Sequence, residues 1–206
     1  MRTIVNTLLF KESPYLAYGS LFLIVCSLKN KTMFSLSVLI FAFLLFFYRY
    51  EPFERRFHDN VLISPCEGTV INLTHSNETY YVAIFLSPFN RHYQIYPING
   101  VVVDRKYDHT GKFNIVMDLN KSRFNEKKIH YIKAKNGIDV IMYQIAGFLP
   151  RMITSSDIVP EPVNSGEYLG MMKFGSRVDL IFPDKCNLHI KNGQCVQIGD
   201  IIASFN

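Results

Sequence analysis

Two apolar segments, Tyr15 to Leu28 and Met33 to Tyr48, follow each other near the start of the chain, parted only by Lys29, Asn30, Lys31 and Thr32. This pattern leaves little freedom of fold. Nearly uncharged runs of this length form helices, and a short polar break between two of them is a helix–helix turn. The segments predict an apolar helical hairpin over residues 1–48. Each run is shorter than the roughly 20 residues that cross a bilayer comfortably, so a shallow or tilted hairpin and a pair of true spans are both open. A cleaved signal peptide is the competing reading, but a second apolar run follows at once and no small-residue cleavage site separates the two. Arg2, Lys11, Arg49, Arg55 and Arg56 lie outside the hairpin and outnumber Lys29 and Lys31 in its turn. That bias places both ends on the cytoplasmic side of a membrane, and whatever follows the hairpin with them.

Residues 49–60 read as a juxtamembrane linker, and from Val61 the texture changes. Short runs rich in Val, Ile, Tyr and Phe alternate with Gly, Pro, Asn and Asp, which is the pattern of strands and turns. Residues 61–206 are expected to form one compact, mainly β domain with a largely antiparallel sheet. Expected strands are Val61 to Leu73, interrupted at Ser64-Pro65, then Thr79 to Leu86, Gly100 to Tyr107, Ile129 to Ala134, Ile138 to Ile145, Arg177 to Phe182 and Ile201 to Phe205. Asp118 to Lys128 and Ser155 to Ser165 read as long loops of the kind that border functional sites. Helix signals after Tyr48 are weak.

A net charge of +5 suits an anionic partner, either a phospholipid surface or a nucleic acid. The cations are dispersed, with no basic helix, zinc-finger spacing or aromatic RNA-binding motif, and this argues against nucleic acid. Cys26, Cys66, Cys186 and Cys195 form no CxxC pair and read as buried thiols in a reducing compartment. No His/Cys grouping has the spacing of a zinc site, so no metal is expected.

The most informative segment is MKFGSRVDLIF, Met172 to Phe182, in which Gly175-Ser176 opens a strand. Alone, Gly-Ser before a strand is an ordinary turn. It occurs together with SPCEGTV at Ser64 to Val70, FLSPFNRH at Phe85 to His92 and QIAG at Gln144 to Gly147, after an apolar hairpin ending in FFYRYEP and before GDIIASF. In this order and spacing the segments resemble the phosphatidylserine decarboxylase family. The likeness is to its short, FGSRVD-type subclass, which includes archaetidylserine decarboxylases, and it covers essentially the whole chain.

The resemblance implies a proenzyme that breaks its own backbone between Gly175 and Ser176, leaving a β chain that ends at Gly175 and an α chain that begins at Ser176. A hydroxyl one carbon from the backbone can attack the preceding carbonyl through a five-membered ring, and glycine tolerates the strained approach. Ser176 would thereby become a covalent pyruvoyl group. That group would form a Schiff base with the serine amine of phosphatidylserine and accept electrons as CO₂ departs, giving phosphatidylethanolamine without pyridoxal phosphate or a metal. His92 matches the family histidine of the SPFxxH segment, and its ordinary pKa near 6.5 suits proton transfer both ways near neutral pH. Glu67 stands where the family has an aspartate that orients the histidine. Gln94 and Ile95 occupy positions where short relatives carry Asn and Arg. Lys127, Arg151 and Arg177 are the cations available for the lipid phosphate. The implied partners are a phospholipid membrane, the paired β and α chains and further copies of the chain. The alternative is a membrane-anchored, non-enzymatic lipid-binding relative that has lost self-processing.

Overall fold

The computed structural model describes residues 7–109, 114–147, 153–173 and 176–206. The chain divides into two units, the first running through Pro52 and the second from Phe53 to Asn206. The boundary therefore falls inside the expected 49–60 linker.

The first unit is helical: α1 (Leu9–Glu12), α2 (Pro14–Cys26) and α3 (Lys31–Phe47). Pro14 opens α2, where its missing N–H costs nothing. Asn30 caps α3 by accepting from Thr32 N and Met33 N, 3.1 Å each. The ends of the unit are tied where Leu8 N donates to Tyr48 O (2.8 Å) and where the Ser13 and Tyr48 hydroxyls meet at 2.7 Å. Much of its apolar surface faces outward, including Phe22, Leu23, Val25, Leu36 and Leu39. Among the described residues no helix is long and apolar enough to cross a membrane.

The second unit is a β domain with one short helix among the described residues. In chain order its elements are β1 (Val61–Ile63), β2 (Gly68–Ser76), β3 (Thr79–Leu86), β4 (Tyr93–Ile95), β5 (Gly100–Asp108), α4 (Leu119–Ser122), β6 (Lys127–Ala134), β7 (Asp139–Ile145), β8 (Ile153–Ser155), β9 (Glu161–Val163), β10 (Tyr168–Met172), β11 (Ser176–Pro183), β12 (Cys186–Leu188), β13 (Cys195–Val196) and β14 (Ile201–Phe205). The main sheet runs β13-β2-β3-β11-β7-β6-β5-β9, and two three-stranded sheets run β1-β14-β12 and β4-β10-β8. Every pairing is antiparallel. The β2–β3 hairpin closes on Asn77 and Glu78, both at positive φ (51° and 59°), as a two-residue turn matched to strand twist demands. The core includes Leu62, Val70, Val82, Ile84, Leu86, Met142, Val178, Leu180 and Phe182, all fully or almost fully buried.

Several sequence expectations are corrected. The run from Val61 to Leu73 is two strands in different sheets, β1 and β2, with the break at the predicted Ser64-Pro65 interruption. Asp118 to Lys128 holds α4 and the start of β6, and β9 lies inside the expected Ser155 to Ser165 loop. Of the four thiols only Cys66 is buried; Cys26 and Cys195 are exposed. Phe174, Gly175 and Arg151 lie outside the described residues.

Candidate active site

Ser176 is the first residue of β11, paired with Leu86 at the last position of β3. Strand alternation puts Ser176 on the face that carries Val178, Leu180 and Phe182 into the core, and Arg177 and Asp179 on the other face. Its hydroxyl is buried and has no hydrogen-bond partner among the described residues.

Leu86 leads directly into the loop that carries His92, and the fold of this loop sets the imidazole. Asn90 Oδ1 accepts from Ser87 N (2.8 Å) and Ser87 Oγ (2.7 Å), which closes the turn. The Asn90 carbonyl lies 2.8 Å from His92 Nδ1. A carbonyl only accepts, so Nδ1 carries the hydrogen and Nε2 of the neutral ring holds the lone pair that can take a proton. His92 is fully buried. Its own carbonyl accepts from Met172 N (3.1 Å) at the end of β10, four residues before Ser176. The end of β10 is therefore pinned to the backbone of His92.

Glu67 immediately precedes β2 and meets the same loop, though not the imidazole. Its carboxylate accepts from Asn90 Nδ2 (2.9 Å) and Arg91 N (3.4 Å) and pairs with the Arg91 guanidinium at 3.8 Å. Its hold on the histidine runs through Asn90, the residue whose carbonyl fixes the ring.

On the outer face, Arg177 is the bulkiest fully buried side chain. Its fork donates to Asp179 Oδ1 (2.7 Å) and Oδ2 (3.0 Å), to Val116 O (2.8 Å) and to Ser122 Oγ. Tyr81 OH donates to Asp179 Oδ2 at 2.7 Å. Burial pushes the Asp179 carboxyl upward, against the pull of Arg177 and Tyr81. Arg177 is thus committed to an internal ion pair. Lys127 lines a cleft of about 200 Å³ beside this pair, with Arg123, Tyr81 and Tyr143; its ammonium donates to Arg123 O (2.8 Å) and lies 3.5 Å from Asp108.

Sequence reasoning missed Asn90 as the histidine's partner, and it missed a line of buried polar groups behind the site: Gln94, Gln144, His130 and Arg105. The available signal was the polar side chains set at core-facing positions of β6 and β7, where alternation asks for apolar residues. Ile95, by contrast, is fully buried in β4 with its N–H on Pro65 O (3.0 Å).

A family model described as phosphatidylserine decarboxylase matches residues 42–204. The chain belongs to the phosphatidylserine decarboxylase family. The phosphatidylserine decarboxylase proenzyme of Cytophaga hutchinsonii is 35% identical over 187 residues, covering 87% of this chain and 84% of that protein. That of Chlorobium phaeobacteroides is 37% identical over 175 residues, covering 81% and 80%. That of Geotalea uraniireducens is 28% identical over 196 residues, 92% of each. The family match runs from within α3 to β14 and so contains Glu67, His92 and Ser176.

Proposed function

We propose that this protein is a phosphatidylserine decarboxylase, made as a proenzyme that cuts itself between Gly175 and Ser176 and then converts phosphatidylserine to phosphatidylethanolamine and CO₂. The observation that carries the reading is the Ser176 hydroxyl, buried at the head of β11 without a partner among the described residues, in a chain of this family. Leaving a buried hydroxyl unpaired costs about 1–3 kcal/mol, a cost understandable where the group must react.

In self-cleavage, His92 Nε2 takes the proton of Ser176 Oγ as the oxygen adds to the Gly175 carbonyl. The carbon–nitrogen bond then breaks as the nitrogen is protonated, leaving an ester. Removal of the Ser176 α-proton expels the Gly175 carboxylate, and water releases ammonia from the dehydroalanine. Ser176 suits this outcome because its own carbons become the pyruvoyl group. That group supplies a ketone electrophile and electron sink for the substrate amine. His92 Nε2 holds the proton returned to the substrate α-carbon, while Asn90 and Glu67 keep the ring in the required tautomer.

Of the candidate cations among the described residues, Lys127 is the one whose ammonium reaches an open cleft, since the Arg177 donors serve Asp179, and that cleft lies on the sheet face opposite the Ser176 side chain. The new α chain stays in place because β11 is hydrogen-bonded to β3 on one side and β7 on the other. The outward apolar surface of α2 and α3 is the membrane attachment, with the β domain on the cytoplasmic side.

Intact-mass measurement of the expressed chain tests the proposal. The expected result is one fragment ending at Gly175 and a second whose N-terminus has lost the serine amine, with phosphatidylethanolamine formed from phosphatidylserine. Ser176→Ala should give only full-length, inactive chain. A parent chain that remains uncut sinks the reading and favours a lipid-binding relative without chemistry.

A further inference from the structure

Behind His92 lies a buried line of polar side chains to which the reaction as described gives no part. Gln94 Nε2 lies 2.7 Å from the His92 carbonyl. Gln94 Oε1 lies 2.9 Å from Gln144 Nε2, and Gln144 Oε1 lies 2.9 Å from His130 Nε2. His130 Nδ1 lies 3.1 Å from Arg105 Nε. Arg105 is anchored in turn on Tyr96 OH (2.8 Å), the Glu161 carboxylate and the Ile158 carbonyl. Gln94, Gln144 and His130 are each fully buried, so none of them can turn to water for a substitute partner.

The two ends of this line fix its direction. A guanidinium only donates, so His130 Nδ1 must accept and its hydrogen must sit on Nε2. That hydrogen requires the oxygen of Gln144 to face His130, which turns the Gln144 amino group toward Gln94. Gln94 must then present its oxygen to Gln144 and its amino group to the His92 carbonyl, which can only accept. At each contact of the line a donor meets an acceptor, and reversing any amide would set like against like. Burial holds His130 in the neutral form this order requires, its pKa pushed down to about 4.

We propose that Gln94, oriented by Gln144 and His130, is a positioning residue for His92: its amide and the Met172 N–H together clamp the His92 carbonyl, which fixes the backbone under the imidazole that Asn90 orients. The Asn90 contact sets the ring's tautomer and rotation, whereas the Gln94 clamp sets where the backbone beneath the ring stands. Both must hold for Nε2 to lie at a usable distance, because a displacement of about 1 Å can cost on the order of 100-fold in rate. The proposal rests on the assignment of His92 as the base in self-cleavage.

The test compares the full chain with Gln94→Met, Gln144→Met and the double variant. Gln94→Met keeps the shape but lacks the amide, and self-cleavage, followed by intact mass over time, should slow about 10- to 100-fold. The double variant leaves no amide facing a missing partner. If the two residues act as one line, it should be no slower than Gln94→Met; independent effects would multiply instead. The second readout uses nitrogen NMR of the histidines in uncut Ser176→Ala protein. His92 should show a single tautomer protonated at Nδ1, and adding Gln94→Met should turn it into an exchanging mixture, with the double variant reporting the same change should the single one fold poorly. Parental cleavage rate in Gln94→Met, multiplicative losses, or an unchanged His92 signal would each overturn the proposal. An uncut parent whose His92 signal still depends on Gln94 would refute the self-cleavage reading while upholding the clamp.

Discussion

His130 offers a prediction whose size can be worked from its surroundings. The ring is fully buried between Arg105 and Gln144, and burial, aided by Arg105 and Lys128, holds its pKa at about 4 against 6.5 for a free ring; the Gln144 contact and the Glu161 charge oppose the shift. Between these two values the unfolded chain binds a proton that the folded chain refuses. Stability is therefore full above about pH 6.5 and falls as pH drops toward 4. From about pH 8 to about pH 4.5 the loss through this one ring comes to about 2–3 kcal/mol. His130→Gln should preserve the hydrogen-bonded line, its oxygen accepting from Arg105 and its amino group donating to Gln144, while removing the titration. Urea unfolding of full-length Ser176→Ala protein, read by circular dichroism, should show the parent midpoint falling by about 1 M or more across this range. The His130→Gln midpoint should fall by clearly less. The carboxylates held low by their partners, Asp157 by the Lys128 ammonium and Glu161, against its burial, by Tyr96 and Arg105, lose their contribution only below their ordinary values of 3.8 and 4.5, outside most of the window. Equal slopes for the two proteins would refute the reasoning.

Two further outcomes follow from the ion pair and the acidic residue of the site. Asp179→Leu strands the buried Arg177 charge and should cost about 3–5 kcal/mol, whereas Arg177→Met with Asp179→Leu should recover most of that loss; thermal unfolding midpoints of the two variants distinguish the cases. Glu67→Gln keeps a polar group for Asn90 but loses the charge shared with Arg91, so self-cleavage should slow less than in Glu67→Ala, which leaves the Asn90 amino group without its acceptor. A time course of chain cleavage by mass reads both.

Local chemistry made much of this protein legible before any coordinates. The uncharged runs on either side of Lys29 to Thr32 appear as α2 and α3, because apolar runs of this length are longer than single strands. The long strands β3, β5, β6, β7 and β11 were readable because β-branched and aromatic residues stand between turn residues. The short strands β4, β8, β9 and β10 were not, since their few residues lack a run of β-branched residues and are held in place by pairing with distant strands.

The same division runs through the site. Ser176, His92 and Glu67 were picked out by their segments, and the fold gathers those segments through β2, the end of β3 and the start of β11. Sequence could not say that Glu67 acts on Asn90 rather than on the imidazole, or that Arg177 is consumed by Asp179 two residues away. Nor could it join Gln94 to Gln144, 50 positions apart, or His130 to Arg105 across two strands. The chain alone determined which chemical groups are present and what backbone each prefers locally. Only tertiary structure decided which of them meet, because a hydrogen bond depends on directions and distances of a few tenths of an ångström that arise when separate strands pack together.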